Sequence, residues 1–274
     1  MVARFHMGDS IPLRHPSKDS RPTALKHLRG FMVHQSPIRQ HALDLAEVSQ
    51  HEVLRLQECE AVRDQVFALK EYWTSRSQGG GFFTLGVASY IDAVERHDAY
   101  VQEAREINPI LWAHFDWLCE RVRKELEALL GQPVSYGEDC ALPGFHIFRY
   151  QGADLSSDRP SSRAHFDMQW IYAMLGCQPE ATLSFTLPIE EPLGGCSLEM
   201  WPIRYNAIPP GFDARKYAAS CPSQTLWYVR GRMVVHDGFL LHAIGRASIA
   251  TPQGYRITLQ GHGAKVSGTW KLYW

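Results

Sequence analysis

Short apolar runs that follow one another after Pro133 restrict the fold of this chain more than any other feature. They read FHIFRY, WIYAML, TLSFTL, SLEMW, TLWYV, RMVVH and YRITLQ, and clusters of Gly, Pro, Asp and Ser separate them. Short strands at such spacing are typical of a β-sandwich or a barrel. We therefore predict that residues 134–274 form a β-barrel core.

The N-terminal half has a helical pattern instead. Apolar residues recur at spacings of three and four, among charged residues, from Ile38 to Trp73 and again from Pro109 to Leu130. This spacing predicts amphipathic helices, the second of which ends at Gly131. We therefore predict one α+β domain over residues 1–274, in which residues 1–133 form a mostly helical support and an arm.

Two segments of the N-terminal half predict irregular structure. Residues 1–36 are polar and contain several prolines, which predicts an arm without regular elements. The triple glycine at 79–81 is not followed by the Lys-Ser or Lys-Thr of a phosphate-binding P-loop, so we interpret it as a turn.

Composition excludes several classes of partner. A formal net charge of −1 over 274 residues leaves no basic surface for duplex nucleic acid or an anionic membrane. No apolar run reaches the length of a membrane span, and the N-terminus lacks the apolar region of a secretory signal. The six cysteines form no CxxC pair, which predicts reduced thiols in a cytoplasmic protein. The sequence does not determine an oligomeric state.

A His-x-Asp motif lies among the apolar runs. His165 and Asp167 are separated by one residue on a segment predicted to be extended, so their side chains point to the same side. An imidazole and a carboxylate so placed can occupy neighbouring positions on one metal ion. The third ligand must come from elsewhere, and His242 is the best candidate. The alternative is His236, which we interpret as a structural histidine.

The three residues form a recognised kind of metal site. Two histidines and one carboxylate on one face of an ion leave the remaining positions open for a co-substrate and oxygen. Nitrogen and oxygen ligands without thiolate suit Fe(II), although Mn(II), Co(II) or Zn(II) could bind the same set. The predicted metal ligands are therefore His165, Asp167 and His242.

Arg256 follows the predicted ligand His242 in the sequence, at a spacing that could place it near the metal site. If the stretch before Gly254 is the loop of a hairpin, Arg256 lies across from Ile244, and Thr258 lies across from His242. Opposed residues face the same side of a sheet, so Arg256 would share the inward face of His242, about 7 Å further along. A guanidinium there can bind a carboxylate in bidentate fashion. The Thr258 hydroxyl could add a hydrogen bond, or Thr258 could be an ordinary ladder residue.

In this order, His165-x-Asp167, His242 and Arg256 resemble the pattern of the 2-oxoglutarate/Fe(II)-dependent oxygenase superfamily. Two smaller matches agree: Gly194-Gly195-Cys196-Ser197-Leu198 resembles the Gly-Gly-x-[ST]-Leu stretch of many members, and Asp237–Ile244 resembles their approach to the distal histidine. The resemblance covers about Phe145–Gly263 and does not extend into the first half of the chain. It implies a double-stranded β-helix, a jelly-roll or cupin-like barrel whose open mouth holds the metal, here buttressed by N-terminal helices.

The resemblance also implies a reaction. Such an enzyme would use Fe(II), 2-oxoglutarate and O₂, release succinate and CO₂, and oxidise an unactivated C–H bond, most often by hydroxylation. Arg256 would bind the far carboxylate of 2-oxoglutarate. Tyr150 precedes the motif, where related enzymes often place a co-substrate contact, and core packing is its alternative role.

The near-neutral charge favours a small-molecule substrate, such as an amino acid or a natural-product intermediate. Trp170 and Trp201 could line its pocket, or they could belong to the core. Two rival functions stay open. A cupin-type metal-dependent hydrolase or isomerase would use the same triad without 2-oxoglutarate and would not need Arg256. A non-enzymatic barrel is the other, and the complete ligand set argues against it.

Overall fold

The computed structural model describes residues 48–77, 81–151, 162–174, 176–192, 195–247 and 253–274. The strands are β1 (Val48–Glu52), β2 (Trp73–Ser75), β3 (Phe82–Leu85), β4 (Val134–Tyr136), β5 (Gly144–Gln151), β6 (Ala181–Glu190), β7 (Cys196–Arg204), β8 (Gln224–Trp227), β9 (Arg232–His236), β10 (Leu240–Ala247), β11 (Gln253–Val266) and β12 (Thr269–Tyr273). The helices are α1 (Leu56–Ala68), α2 (Ser89–Asp92), α3 (His97–Leu130), α4 (Trp170–Ala173) and α5 (Ala214–Ser220). The predicted arm over residues 1–36, and most of the triple glycine, lie outside the described residues.

Two mainly antiparallel sheets form the barrel. The large sheet has the order β1-β9-β6-β11-β5-β3-β2, with β12 beside β11 and β4 beside β12, and the small sheet has the order β10-β7-β8. An isolated bridge between His165 and His242 adds the His-x-Asp segment next to β10. We number eight strands from one to eight in chain order: β5, the His-x-Asp segment, β6, β7, β8, β9, β10 and β11. In these numbers the large sheet contains the order 1-8-3-6, and the small sheet with the added segment has the order 2-7-4-5. This is the order of a double-stranded β-helix, so the predicted fold class is confirmed.

The two faces of the large sheet differ in chemistry. Its outer face carries apolar side chains, among them Ile147 and Leu259, and these pack in one core with α1 and α3. Because side chains alternate along a strand, the residues between them point the other way, toward the small sheet. That inner face includes the buried polar residues His146, Ser184, His236, Arg256, Thr258 and His262. The barrel interior is therefore much more polar than the core beneath the helices.

The small sheet also has two distinct faces. Leu198, Met200 and Leu240 pack against Val234 of β9, which closes the two sheets onto each other. The residues of opposite parity, Trp201, Ile203, Leu241 and Ala243, form a separate cluster that the segment around α5 covers. His242 lies between Leu241 and Ala243 in sequence, so its side chain points into the barrel.

The N-terminal half is less helical than predicted. The strands β1, β2 and β3 all precede residue 133 and join the large sheet. The first helix is restricted to Leu56–Ala68, and the second begins at His97, twelve residues before the predicted start at Pro109. The second helix ends as predicted, at Gly131, which takes a left-handed φ of 61°.

Two local predictions in the barrel half are wrong. The run WIYAML was predicted to be a strand, but Trp170–Ala173 form helix α4. A short apolar run does not distinguish the two conformations by its period. The predicted hairpin between β10 and β11 is wrong too, because Arg256 pairs with Phe148 and His242 pairs with Met200. The chain crosses from the small sheet to the large sheet between these two strands.

All six cysteines are free thiols in the structure. Within the described part of the chain, no helix combines the length and the apolar character that are needed to cross a bilayer.

The end of α3 provides a test of the fold. We expect Gly131→Ala to lower the free energy of unfolding by about 1 kcal/mol, because alanine resists the left-handed conformation. A Cβ at this position would meet nothing within 4 Å, so the cost is in the backbone alone. Gly131→Asn is the matched control and should cost less, because asparagine tolerates this conformation. Urea denaturation measures both, and equal costs for the two variants would contradict the assignment.

Candidate metal centre

The structure brings together the three predicted ligands. The possible ligand atoms of His165, Asp167 and His242 all lie within 4.8 Å of one another. Nε2 of His165 lies 3.6 Å from Oδ1 of Asp167, and Nε2 of His242 lies 3.3 Å from Oδ2. In the described part of the chain, this is the only group of three or more His, Cys, Asp or Glu side chains so arranged.

Backbone pairing explains why the two imidazoles meet. The amide of His165 donates to the carbonyl of His242 at 2.8 Å, and the amide of His242 donates back at 3.0 Å. The two residues are thus directly opposed on neighbouring segments, and their ring centroids are 4.4 Å apart. The amide of Asp167 donates to the carbonyl of Gly238 at 2.8 Å, which holds the carboxylate end of the motif at the turn before β10.

Each imidazole is oriented by its other nitrogen. Nδ1 of His165 lies 2.7 Å from the carbonyl of Arg163, and Nδ1 of His242 lies 2.9 Å from the carbonyl of Leu240. A carbonyl only accepts, so each Nδ1 carries the hydrogen. In the neutral form of each ring the lone pair is then on Nε2, and both Nε2 atoms lie close to Asp167. Histidines that bind metals are commonly fixed in this way.

The carboxylate is held on both of its oxygens. Ser184 Oγ donates to Asp167 Oδ2 at 2.6 Å, and Gln169 Nε2 donates to Oδ1 at 2.9 Å. Ser184 Oγ also lies 3.1 Å from Nδ1 of His262. Sequence reasoning missed Ser184 and Gln169. The alternation of Thr182, Ser184 and Thr186 with apolar residues in the run TLSFTL indicates a polar inner face, but it does not distinguish Ser184 from the two threonines.

Charge is unevenly distributed over the cluster. Burial acts to raise the pKa of Asp167, but the nearby imidazoles, His242 first, hold it well below its usual range. Burial acts to lower the pKa of His242, and Asp167 more than offsets this, so that it is raised. Burial and the neighbouring His242 lower the pKa of His165. Asp167 is therefore a carboxylate that attracts a cation to the position between the two Nε2 atoms.

The rival histidine lies beside the cluster. The ring of His236 is 4.6 Å from that of His242, and its Nδ1 lies 2.9 Å from the carbonyl of Asp237. Burial, followed by the charge of His242, lowers the pKa of His236 to about 3, so the ring is neutral. The ligand geometry groups His242, and not His236, with the His-x-Asp motif.

Arg256 lies on the inner face of β11 in an unusual environment. Only 1% of the residue is exposed, and its Nε and Nη2 have no hydrogen-bond partner among the described residues. Its guanidinium lies over the rings of Phe148 and Tyr228, at 5.6 and 5.3 Å from their centroids. A buried cation without a paired anion costs several kcal/mol. An anionic ligand that binds there would remove this cost.

A nearby acid does not neutralise Arg256. Glu191 is close enough for Arg256 to influence it, but burial dominates and raises the pKa of Glu191 to about 7. Its Oε1 is buried and has no hydrogen-bond partner among the described residues. Near pH 7 this carboxyl is therefore only about half ionised, so the guanidinium lacks a full counter-charge.

The other predicted site residues lie on different faces of the barrel. Tyr150 shares the inner face of β5 with Phe148, and Arg256 is close enough to oppose the rise that burial causes in its pKa. Thr258 is fully buried on the inner face of β11. Trp170 is on α4, three residues after Asp167, with its Nε1 buried and unpartnered among the described residues. Trp201 lies on the outer face of the small sheet and donates to the Cys221 carbonyl at 3.2 Å, so the structure separates it from the cluster.

Fold and site together define a class of protein: a double-stranded β-helix whose interior holds a cluster of two histidines and one aspartate, and a buried arginine with two guanidinium nitrogens that lack a partner among the described residues. No protein-family model matches the sequence, and no curated protein matches it.

Several solved structures are similar in chain path. An N-substituted L-amino acid dioxygenase from Burkholderia ambifaria, in complex with alpha-ketoglutarate, is 14% identical, with 83% of this chain and 86% of that chain covered and a TM-score of 0.48. AviO1 from Streptomyces viridochromogenes is 13% identical, with coverage of 81% and 91% and a TM-score of 0.44. The alpha-ketoglutarate dependent epimerase SnoN from nogalamycin biosynthesis is 15% identical, with coverage of 81% and 80% and a TM-score of 0.41. At these identities and TM-scores the similarities establish nothing about the activity of this chain.

The hydrogen bond to the carboxylate gives a test of the centre. We expect Ser184→Ala to weaken Mn(II) binding by about 10- to 100-fold, because the variant releases Asp167 from its orientation. Isothermal titration calorimetry measures the affinity. Ser223→Ala is the matched control, because that hydroxyl also donates at 2.6 Å to a buried carboxylate, Glu199, outside the cluster. Equal affinities of Ser184→Ala and the control would contradict the assigned role.

Proposed function

We propose that this chain is an Fe(II)- and 2-oxoglutarate-dependent dioxygenase. The observation that supports this most is the buried guanidinium of Arg256 on the inner face of the barrel that also holds the cluster, because its Nε and Nη2 have no hydrogen-bond partner among the described residues. A metal-dependent hydrolase or isomerase would have no use for such a group. A keto diacid has one end that chelates a metal and another that a guanidinium binds in bidentate fashion.

The cluster suits ferrous iron. Its donors are two imidazole nitrogens and a carboxylate, and no thiolate is among them. This set is typical of iron oxygenases, which keep the remaining positions of the ion open. The iron would supply the redox chemistry, in which 2-oxoglutarate and O₂ are converted to succinate and CO₂ while a C–H bond is oxidised.

The protein residues would bind and orient the reactants. His165, Asp167 and His242 would hold the ion from one side, with both Nε2 atoms already directed toward the carboxylate. Arg256 would receive the far carboxylate of 2-oxoglutarate, and we propose that Tyr150 and Thr258 contact the same group. The ring faces of Phe148 and Tyr228 beside the guanidinium exclude water, which strengthens a charged hydrogen bond.

We further propose that the reaction is hydroxylation of an unactivated C–H bond in a small molecule. The near-neutral charge and the enclosed interior support a small substrate, such as an amino acid or a natural-product intermediate. Trp170 is proposed to line its pocket, because it lies three residues beyond Asp167 and its indole N–H has no partner among the described residues. We propose no pocket role for Trp201.

Anaerobic titration tests the proposal. Addition of Fe(II) and then 2-oxoglutarate to the wild-type protein should produce a weak metal-to-ligand charge-transfer band in the visible spectrum. The band should be absent in His165→Ala and in His242→Ala, because each variant removes a ligand of the ion. If the wild-type protein binds iron and shows no band with 2-oxoglutarate, the hydrolase or isomerase function becomes the better explanation.

Arg256 gives a second test. We expect Arg256→Ala to weaken binding of 2-oxoglutarate to the Mn(II)-loaded protein on the order of 100-fold, because hydrogen bonds to a charged partner are lost. Affinity for Mn(II) itself should not change. Arg232→Ala is the control, since this arginine on β9 is exposed and lies 4.0 Å from Glu52. A variant at Arg256 that binds 2-oxoglutarate as tightly as this control would refute the assigned role.

A further inference from the structure

A histidine that the proposed function does not use lies on the inner face of the barrel. His146 on β5 is buried, with 5% exposed, and its neighbours in sequence, Phe145 and Ile147, point to the outer core. Its Nε2 lies 2.5 Å from the hydroxyl of Tyr90. Its Nδ1 is buried and has no hydrogen-bond partner among the described residues. A buried polar atom without a partner is uncommon in a folded protein and requires an explanation.

The tautomer of His146 follows from its partner. The Tyr90 hydroxyl has no acceptor other than His146 Nε2 among the described residues. A buried hydroxyl donates its hydrogen where it can, so Tyr90 donates and Nε2 accepts. The hydrogen of the neutral imidazole is then on Nδ1. The unpartnered atom is therefore a donor, and the missing group is an acceptor such as a carboxylate oxygen.

His146 lies between the two ends of the proposed co-substrate site, which are Arg256 and the metal cluster. His146 pairs with Thr258, and the adjacent inner-face residue, Phe148, pairs with Arg256. From Arg256, β11 runs toward His262, whose Nδ1 lies 3.8 Å from Asp167 Oδ2. The imidazole is thus one inner-face position from the arginine, on the side of the metal cluster. An extended diacid that reached from Arg256 to the metal cluster would pass the imidazole ring of His146.

The ring of His146 is held rigidly. It lies 5.2 Å from the ring of Phe82 and 5.2 Å from that of Trp274, measured between centroids. Tyr90 is itself part of α2, which a bidentate ion pair between Arg76 and Asp92, at 2.6 and 2.7 Å, ties to the neighbouring strand segment. A donor fixed by packing loses little entropy when it binds a ligand, which favours affinity.

We infer that His146 donates a hydrogen bond from Nδ1 to a carboxylate oxygen of bound 2-oxoglutarate, and that Tyr90 is a positioning residue that fixes the tautomer and orientation of the ring. This inference rests on the proposed function. It adds a contact to the co-substrate from His146, whose partner Tyr90 belongs to the N-terminal half. Tyr90 belongs to the part of the chain for which sequence analysis predicted only structural support.

Calorimetric titration of the Mn(II)-loaded protein with 2-oxoglutarate tests the inference. We expect His146→Phe to weaken binding about 10-fold or more, as for the loss of a hydrogen bond to a charged acceptor. His146→Asn should retain more affinity than His146→Gln, because the amide nitrogen of asparagine can occupy the place of Nδ1, whereas that of glutamine is placed near Nε2. Affinity for Mn(II) should be unchanged in all three variants.

Tyr90→Phe tests the positioning role. It should weaken 2-oxoglutarate binding by less than His146→Phe, and the double variant should bind no more weakly than His146→Phe alone, because Tyr90 acts through the histidine. Tyr136→Phe is the matched control, since its partly buried hydroxyl donates to the Cys119 carbonyl at 2.9 Å, away from the barrel interior. Additive effects of Tyr90 and His146 would overturn the positioning role.

The outcomes separate the two proposals. If the wild-type protein does not bind 2-oxoglutarate, the proposed function fails and this inference fails with it. If the wild-type protein binds it in an Arg256-dependent manner and His146→Phe binds equally well, the inference alone fails. Thermal unfolding shows whether each variant is folded. Should His146→Phe not fold, unchanged affinity in Tyr90→Phe together with equal affinities of His146→Asn and His146→Gln would overturn the inference.

Discussion

The pairing of His165 with His242 is the interaction on which the candidate site depends. Two backbone hydrogen bonds, at 2.8 and 3.0 Å, attach the irregular His-x-Asp segment to β10 and complete the small sheet. The same pairing places both imidazoles on the inner face and brings Asp167 between them. Since both Nδ1 atoms are bound to carbonyls, both Nε2 atoms are free to face Asp167, and in the neutral rings they carry the lone pairs that would bind an ion. If this cluster binds a metal ion, as we propose, little conformational entropy would be lost on binding.

The barrel interior carries a concentration of polar groups that stability alone does not explain. Burial of a polar group without a partner costs about 1–3 kcal/mol, and more for a charged group. Arg256, His146 and Trp274 each have a buried nitrogen without a partner among the described residues. The outer face of the same sheet, by contrast, is almost wholly apolar and packs against α1 and α3. The helices pack on the outer face of the sheet, and the unpartnered polar groups are on its inner face.

The N-terminal half is more closely integrated with the barrel than a detachable support would be. β3 extends the large sheet beside β5, and Thr84 on β3 pairs with His146. Tyr90 reaches the same histidine from α2, one of the shortest helices of the fold. A segment that resembled nothing recognisable in sequence therefore lies directly against residues that face the proposed co-substrate.

The sequence by itself determined the barrel class, the ligand motif and the end of α3 at Gly131, because these depend on local properties: strand-length apolar runs, side-chain alternation across one residue, and a residue free to take a positive φ. It did not determine which strands pair. His242 and Arg256 are close in sequence, and a hairpin was expected, yet they lie in different sheets. Local patterning cannot distinguish a hairpin from a crossover, since both bury the same alternate residues. Only the tertiary structure brought Ser184, His146 and Tyr90 to the interior, because each is far in sequence from the group that it contacts, and a lone serine, histidine or tyrosine carries no signal of its partner.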